Sequence, residues 1–249
     1  MPKIYKVGGC VRDTFLGIDS KDIDFTFVLD NIDRSVEEGF QIMTEYLEHK
    51  GFTIFLSTPQ MFTIRAKFPS TDGPYARYCG MVADFVLARK EVGYVPGTRQ
   101  PILELGTLED DLIRRDFTLN ALAVDEDGNL IDLFDGVNDL KVGLLRTPLD
   151  PKVTMMDDPL RFLRALRFSI TKDFTIALEI FDAIQNQPEI LDKLEKVVSA
   201  ERIREEVFKM MNADTVKTLE LFRIVEEMVP GFTKLVFSKG LWLKPTFEQ

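Results

Sequence analysis

The chain has 249 residues, 45% of them hydrophobic, and a net charge of −10 at pH 7. This length allows one large domain or two modest ones, and the charge argues against a broad, non-specific nucleic-acid surface while leaving room for a local basic groove. Cys10 and Cys79 have no metal-ligand spacing, no apolar run reaches the roughly 18 residues of a membrane span, and Met1 leads directly into a strand. We therefore expect a reduced, cytoplasmic setting with no signal peptide and no membrane association.

The first predicted elements are a strand, a Gly-Gly turn and a short helix within VGGCVRDTFLGIDSKDIDF, residues 7–25. The Gly8-Gly9 turn lets the backbone approach a phosphate closely, and the helix that begins near Cys10 presents free N–H groups and a positive dipole end. Arg12 lies about one turn into this helix, where we expect it to face the phosphate. The alternative is a surface salt bridge between Arg12 and Asp13.

The next predicted strand runs over residues 23–29, and Asp22 and Asp24 project from the same side of it. Two adjacent carboxylates repel each other unless a cation lies between them, and hard oxygen ligands suit Mg²⁺. The alternative is a pair of solvated strand-end charges, but the Gly-Gly turn just upstream favours the metal. Asp84, within a strand predicted at residues 82–87, is the best candidate for a third carboxylate of a two-metal site.

The middle of the first region is predicted to alternate short strands with helices. Ser35 and Glu38 form a capping box that begins a helix ending before Gly51. Strands are then predicted at residues 53–56, 61–68, 81–88 and 130–134, with a short helix after residue 136. Residues 94–107 contain Pro and Gly without periodicity and are predicted to be a loop.

A second polar cluster, EDDLIRRDFTLNA, occupies residues 109–121. Arg115 and its neighbour Arg114 are suited to bidentate bonds with phosphate, and Asn120 could reach a ribose hydroxyl. The alternative is an internal salt-bridge network of Arg115 with the nearby Asp residues 110, 111 and 116.

From residue 157 onward the pattern is mostly helical, and prolines near residues 147–151 suggest a boundary. We predict a head domain at residues 1–147 and a helical domain at 148–249. One helix begins at Asp158-Pro159 and ends near Phe168; the caps predicted for three later helices are Asp173, Ser199 and Asp214.

The helix that begins at Asp158 carries the third polar cluster. Arg161, Arg164 and Arg167 recur every three residues along one side of this helix. A carboxylate beside a guanidinium complements the amino donor and ring-nitrogen acceptor of cytosine or adenine, and mismatches uracil and guanine. If Asp158 and Arg161 face a nucleotide, they should select CTP and ATP; the alternative for Asp158 is a simple helix N-cap.

Five segments, VGGCVRD…DIDF, EDDLIRRDFTLNALAVD, LIDLFDGVNDLK, DDPLRFLRALRF and VSAERIREE, occur in an order that resembles class II tRNA nucleotidyltransferases (CCA-adding enzymes) and bacterial poly(A) polymerases. The resemblance implies an α+β protein with a polymerase-β-like nucleotidyltransferase head, built on a mixed sheet with helices, followed by an all-helical neck. It implies Mg²⁺-dependent, template-independent addition of CTP and ATP to an RNA 3′ end, most naturally that of tRNA.

The resemblance also implies residue roles. Asp22 and Asp24 would bind Mg²⁺ for attack of the RNA 3′-hydroxyl, and the segment from about Arg89 to Gly106 would be the flexible element used in the final A addition. Residues implied to bind the nucleotide are Gly8, Gly9, Arg12 and Arg115 in the head, and Asp158, Arg161, Arg164 and Arg167 in the neck.

Two departures and two alternatives accompany the resemblance. The first departure is that the family's Glu-Asp pair is Asp157-Asp158 in this chain. The second is length: members of the family are longer, which suggests that the helical region is shortened here and that its RNA-binding surface is reduced. One alternative function is A-only addition, as a poly(A) polymerase or as half of a split CCA system. The other is a non-catalytic nucleotide- or RNA-binding module, which the intact Asp22 and Asp24 disfavour.

Overall fold

The computed structural model describes residues 1–20, 22–70, 76–94 and 101–238. The chain divides into two compact units, one comprising residues 1–138 and the other beginning at Asp139. None of the helices in these described ranges combines the length and apolar character needed to cross a bilayer. The two units are called the head and the neck below.

A mixed sheet forms the centre of the head. Its strands, in chain order, are β1 (Lys3–Val7), β2 (Asp24–Val28), β3 (Thr53–Thr58), β4 (Thr63–Lys67), β5 (Val82–Leu87), β8 (Leu122–Val124) and β9 (Leu130–Asp132). The spatial order is β3-β4-β5-β2-β1-β8-β9, and β2 and β5 run parallel whereas their other neighbours are antiparallel. The two central parallel strands place Asp24 opposite Asp84 in the register.

Helices and a separate hairpin complete the head. The helices are α1 (Gly9–Phe15), α2 (Val36–His49) and α3 (Leu108–Ile113), and α4 (Gly136–Val142) begins in the head and ends in the neck. The hairpin pairs β6 (Arg89–Tyr94) with β7 (Pro101–Leu105). Ser35 and Glu38 form the predicted capping box of α2, which is therefore confirmed.

The side-chain alternation of β2 separates the core from the polar face of the sheet. Phe25 and Phe27 point into an aromatic core that includes Phe68 and Phe85 and is covered by α2. Asp24 and Thr26 lie on the opposite face of the strand, toward α3. The buried aromatic face thus fixes the direction in which the acidic side chain points.

The neck is helical apart from a short parallel pair, β10 (Leu144–Leu145) with β11 (Thr175–Ile176). Its helices are α5 (Pro151–Asp157), α6 (Leu160–Thr171), α7 (Leu178–Asn186), α8 (Pro188–Lys196), α9 (Ala200–Ala213), α10 (Thr215–Met228) and α11 (Phe232–Ser238). Helix α6 packs along α9, and both contribute fully buried apolar side chains. The Ser199 and Asp214 caps are confirmed, since each side chain accepts a backbone N–H at the start of its helix.

Two predictions of local structure are wrong or incomplete, and some short elements were not predicted. The loop predicted at residues 94–107 contains β7, because pairing with β6 offsets its poor local propensity; residues 95–100 lie outside the described part of the chain. Asp173 has a φ of 58° and caps no helix, since the next helix begins only after β11. Helices α5 and α8 and strand β8 were not predicted, because each is too short for its periodicity to be recognised.

Candidate functional site

The Gly-Gly turn lies at the start of α1, where the sequence predicts a phosphate cradle. Gly8 has a φ of 78°, a conformation that glycine adopts without strain. A Cβ at Gly8 would lie 2.6 Å from Nη1 of Arg115, and one at Gly9 would lie 3.4 Å from Nη2 of Arg12. The absence of side chains at both positions therefore lets two guanidinium groups lie against the turn.

The carboxylates form a second group at the start of β2. Asp24 is the first residue of the strand and is partly buried, whereas Asp22 precedes the strand and is exposed. Burial raises the pKa of Asp24; the Arg115 guanidinium opposes this rise, and the charges of Asp84 and Asp22 add to it. A cavity of about 200 Å³ is lined by Asp22, Asp84 and Arg65, among others. A carboxylate whose pKa is raised by burial and by two neighbouring carboxylates, beside a cavity that those two neighbours line, is typical of a functional site.

Asp84 makes a two-pronged ion pair with Arg65 on β4. Nε and Nη2 of Arg65 each donate to Asp84 at 2.8 Å. In the described part of the chain, no cluster of three or more His, Cys, Asp or Glu side chains is arranged to hold a metal ion. Asp22 and Asp24 nevertheless fit a divalent cation in their chemistry, because their hard oxygens repel each other and the neighbouring carboxylates help to raise the pKa of Asp24, a repulsion that a cation would relieve.

Arg12 is buried and lies in a polar network. It binds Asp13 through Nε and Nη2 at 2.9 and 2.8 Å, and Nη1 donates to Oδ1 of Asn120 at 2.5 Å. Asn120 in turn donates to Asp116 at 2.8 Å and is only 5% exposed. The salt bridge between Arg12 and Asp13 was the alternative weighed from the sequence, but the structure places it in the interior of the head. The nucleotide-binding roles of Arg12 and Asn120 remain predictions.

Arg115 connects the glycine turn to the acidic strand. Its Nη2 donates to Oδ2 of Asp111 at 2.8 Å and lies 3.5 Å from the hydroxyl of Thr26. Asp111 also accepts from Thr26 and, at 3.3 Å, from Arg114. Burial alone would raise the pKa of Asp111, but the two guanidiniums and the Thr26 hydroxyl hold it below its ordinary value. The internal ion-pair network weighed from the sequence is thus present around Asp111.

In the neck, Asp158 occupies the turn between α5 and α6. Its Oδ1 accepts the backbone N–H of Leu160 at 3.1 Å, and its Oδ2 binds Nη2 of Arg202 at 3.0 Å. The capping alternative for Asp158 is therefore present in the structure, together with a partner that sequence reasoning missed. Arg161 donates from Nη1 to the backbone carbonyl of Thr154 at 3.2 Å.

The other two arginines of α6 lie against the neck itself. Both guanidinium groups lie near the ring of Phe168: Cζ of Arg164 is 5.9 Å from the ring centroid, and Cζ of Arg167 is 4.3 Å from it. Nε of Arg167 also forms a 2.5 Å ion pair with the buried Glu206 on α9. Nucleotide-binding roles for these two arginines remain predictions.

The structure thus brings together Gly8, Gly9, Arg12, Arg115 and Asp24 in the head, with Asp22 and Asp84 at the adjoining cavity. It separately places Asp158 and Arg161 at one helix turn of the neck. The residues that sequence reasoning missed are Thr26, Arg65, Arg202 and Glu206. Their long-range partners leave no local sequence signal, although a Thr two residues after an acidic position in a strand shares its face.

Comparison with known proteins supports the predicted relationship. Residues 4–146 match the family model described as the poly A polymerase head domain. A CCA-adding enzyme from Ligilactobacillus salivarius is 32% identical over 219 residues, which cover 83% of this chain and 45% of that enzyme. An A-adding tRNA nucleotidyltransferase from Aquifex aeolicus is 31% identical over 239 residues, which cover 92% of this chain and 26% of that enzyme.

A solved structure extends the match to the fold. The Thermotoga maritima CCA-adding enzyme, solved in complex with tRNA, has a TM-score of 0.64 and 25% identity, covering 90% of this chain and 47% of that one. The chain spans less than half the length of these three proteins. The predicted fold class, a nucleotidyltransferase head followed by a helical neck, is confirmed. Because the family model covers more than half of its residues, the chain belongs to the poly A polymerase head-domain family.

Proposed function

We propose that the chain is a template-independent nucleotidyltransferase that adds or repairs the 3′-terminal CCA of tRNA with CTP and ATP. The observation that carries this proposal is the convergence of Gly8, Arg115 and Asp24 from three separate segments of the head. A bare backbone, a guanidinium and a carboxylate are the groups that nucleotidyl transfer requires.

In the proposed reaction the RNA 3′-hydroxyl attacks the α-phosphate of the nucleotide, and pyrophosphate leaves. Gly8 and Gly9 let the triphosphate approach the backbone, while Arg115 and Arg12 offset its negative charge.

Asp22 and Asp24 are proposed to hold the divalent metal ion, with Asp84 as a further candidate. Mg²⁺ suits this donor set, because it prefers oxygen ligands and is commonly bound by one or two carboxylates plus substrate phosphates. When bound, the ion would neutralise developing charge on the transferred phosphate. Asp84 already has a cationic partner in Arg65, so binding of the ion by Asp84 would require that ion pair to open or to be shared.

Selection of the base is proposed for the neck. Asp158 accepts from the amino group of cytosine or adenine, and Arg161 donates to the neighbouring ring nitrogen. Arg164 and Arg167 support this helix turn. Asp157 replaces the family's usual Glu without removing the proposed acceptor, because it precedes Asp158 and is itself exposed.

A-only addition, including poly(A) polymerase activity, is the second proposed function. The Aquifex aeolicus relative, named as an A-adding enzyme, matches 92% of the chain. The proposed acceptor and donor in the neck suit adenine as well as cytosine, so their chemistry does not separate the two functions. Either activity would take place under the reduced, cytoplasmic conditions expected from the sequence.

A gel assay with Mg²⁺, run with each nucleotide alone and with CTP and ATP together, tests the proposal. The RNA substrates are a tRNA lacking its last three nucleotides, a tRNA lacking only the terminal A, and an unstructured oligo(A). Two C additions followed by one A, on tRNA alone, are expected for a CCA-adding enzyme. Addition of A only to the nearly complete tRNA, or long A tracts on every RNA, would assign the second function. No transfer to any RNA would overturn both.

A further inference from the structure

Asp111 is the most deeply buried carboxylate near the proposed phosphate site, with 2% of its surface exposed. It lies on α3 and was not assigned a role in binding by the sequence. Its two oxygens accept from the hydroxyl of Thr26 and from Nη2 of Arg115, both at 2.8 Å, and from Nη2 of Arg114 at 3.3 Å. A single carboxylate thus connects strand β2, helix α3 and a guanidinium of the site.

The position of Arg115 depends on restraints at both ends of its guanidinium. Nη2 is held by Asp111. Nη1 lies so close to the Gly8 backbone that a Cβ at Gly8 would be only 2.6 Å from it. The guanidinium is planar, so fixing Nη2 also sets the direction in which Nη1 and Nε point. Without the carboxylate, the long Arg side chain would gain rotamers that turn it away from the glycine turn.

A buried charged network of this kind adds little net stability to a fold. Desolvating a carboxylate costs free energy that its partners only partly return, and apolar residues often replace such groups without loss of stability. In contrast, preorganised charges directed at a reacting phosphate contribute strongly to catalysis because they need no reorganisation during the reaction. The placement of Asp111 is therefore better explained by orientation of Arg115 than by folding alone.

We propose that Asp111 is a positioning residue that holds the Arg115 guanidinium against the Gly8 turn for binding of a triphosphate. This inference rests on the proposed function, because it assigns Asp111 to the same phosphate site. Thr26 has a supporting part, since its hydroxyl donates to the carboxylate from the strand that also carries Asp24.

The test is a double-mutant cycle of Asp111→Asn and Arg115→Gln. Two quantities are measured: kcat/KM for ATP in the transfer assay, and the Kd of inorganic tripolyphosphate with MgCl₂ by calorimetry. Asp111→Asn is expected to lower kcat/KM roughly 30-fold and to weaken tripolyphosphate binding roughly 10-fold. In the Arg115→Gln background the same substitution should change each quantity less than about twofold.

Glu109→Gln is the matched control, because it makes the same charge change at an exposed position on the same helix. It should leave both quantities within about twofold of the wild type. Equal losses from Asp111→Asn in both backgrounds would show a general structural effect and overturn the inference, as would an unchanged Kd in the single variant.

Two further measurements keep the inference testable. If Asp111→Asn does not fold, Thr26→Val removes one donor to the carboxylate with little change in shape and should weaken tripolyphosphate binding several-fold; an unchanged Kd would count against the inference. If the wild type transfers no nucleotide, the proposed function fails. Loss of tripolyphosphate affinity that depends on Arg115 would then still support the positioning role.

Discussion

The proposed site residues of the head come from distant parts of the sequence, whereas those of the neck lie close together in the sequence, between Asp158 and Arg167. Arg12 and its partner Asn120 are 108 residues apart, and Thr26 and Asp111 are 85 apart. In the neck, Asp158 and Arg161 bond to backbone groups of the same helix turn or of the preceding helix. The head site thus depends on the packing of distant segments, while the neck turn is built from local backbone bonds and is then tied to α9 by the ion pairs Asp158–Arg202 and Arg167–Glu206.

The two regions also differ in how firmly their charged groups are held. In the head, Arg12, Asp111 and Asn120 are buried and bonded on several sides. The side chain of Asp158 in the neck is 32% exposed, and that of its partner Arg202 is 54% exposed. Buried, fully bonded groups are preorganised, whereas exposed groups can adjust to different ligands. We therefore expect substitutions in the head to decide whether transfer occurs, and those in the neck to decide which nucleotide is used.

The largest expected effect is at the acidic strand. Asp22→Asn and Asp24→Asn should each reduce transfer at least about 1,000-fold, because they remove the proposed oxygen ligands of the metal ion. Single-turnover transfer of ATP measures the loss, and circular dichroism checks that the fold is retained. Transfer within tenfold of the wild type in either variant would exclude that residue as an essential ligand.

The next effect is at the glycine turn. Gly8→Ala should lower kcat/KM roughly 100-fold, because alanine is strained at a φ of 78° and its Cβ would lie 2.6 Å from Nη1 of Arg115. Gly17→Ala is the control, since Gly17 also has a positive φ, of 67°, but a Cβ there meets nothing within 4 Å. Similar losses in both variants would attribute the effect to backbone strain instead of to displacement of the guanidinium.

The difference between the regions also explains what the sequence could predict. The Gly8-Gly9 turn, the strand of Asp24 and the helices capped by Ser35, Ser199 and Asp214 follow from local spacing and propensity, so they were predicted correctly. The pairing of Asp111 with Arg115, four residues on, is local and was among the alternatives. The burial of Asn120 and the bond between Thr26 and Asp111 depend on which distant segments become neighbours, and a single sequence carries no local signal for that. The hairpin of β6 and β7 was missed for the same reason, because its stability comes from pairing and not from propensity.

A substitution in the neck distinguishes structural from nucleotide-binding arginines. Glu206→Gln should destabilise the protein by about 2 kcal/mol, because it removes the buried partner of Arg167 and leaves that guanidinium without its ion pair. Thermal unfolding measures the change, and Glu205→Gln, at an exposed neighbouring position, is the control. A stability equal to that of the wild type, together with weaker ATP binding, would favour a nucleotide-binding role for Arg167.

A smaller effect is expected in nucleotide choice. Asp158→Ala should reduce the preference for CTP and ATP over UTP and GTP by about tenfold, because the acceptor for the base amino group is lost. Competition between the four nucleotides in the tRNA assay measures the preference, and Asp157→Ala is the control on the adjacent exposed residue. A uniform loss of rate with an unchanged preference would exclude Asp158 from base selection.

The smallest expected effect is a gain of stability in a variant that loses activity. Because burial raises the pKa of Asp24, protonation of this residue favours the folded state. The folding stability that protonated Asp24 contributes is fully present below the ordinary pKa of an Asp side chain, about 3.9, and is lost as the pH rises through the raised pKa of Asp24.

At pH 7 in EDTA, Asp24→Asn should therefore raise Tm by roughly 1–3 °C. The difference in Tm between the variant and the wild type should become smaller as the pH is lowered toward about 4. Asp19→Asn, at an exposed position, should leave Tm unchanged. A lower Tm for Asp24→Asn at pH 7 would mean that Arg115 more than compensates the charge, and that the head site is built for stability as well as for binding.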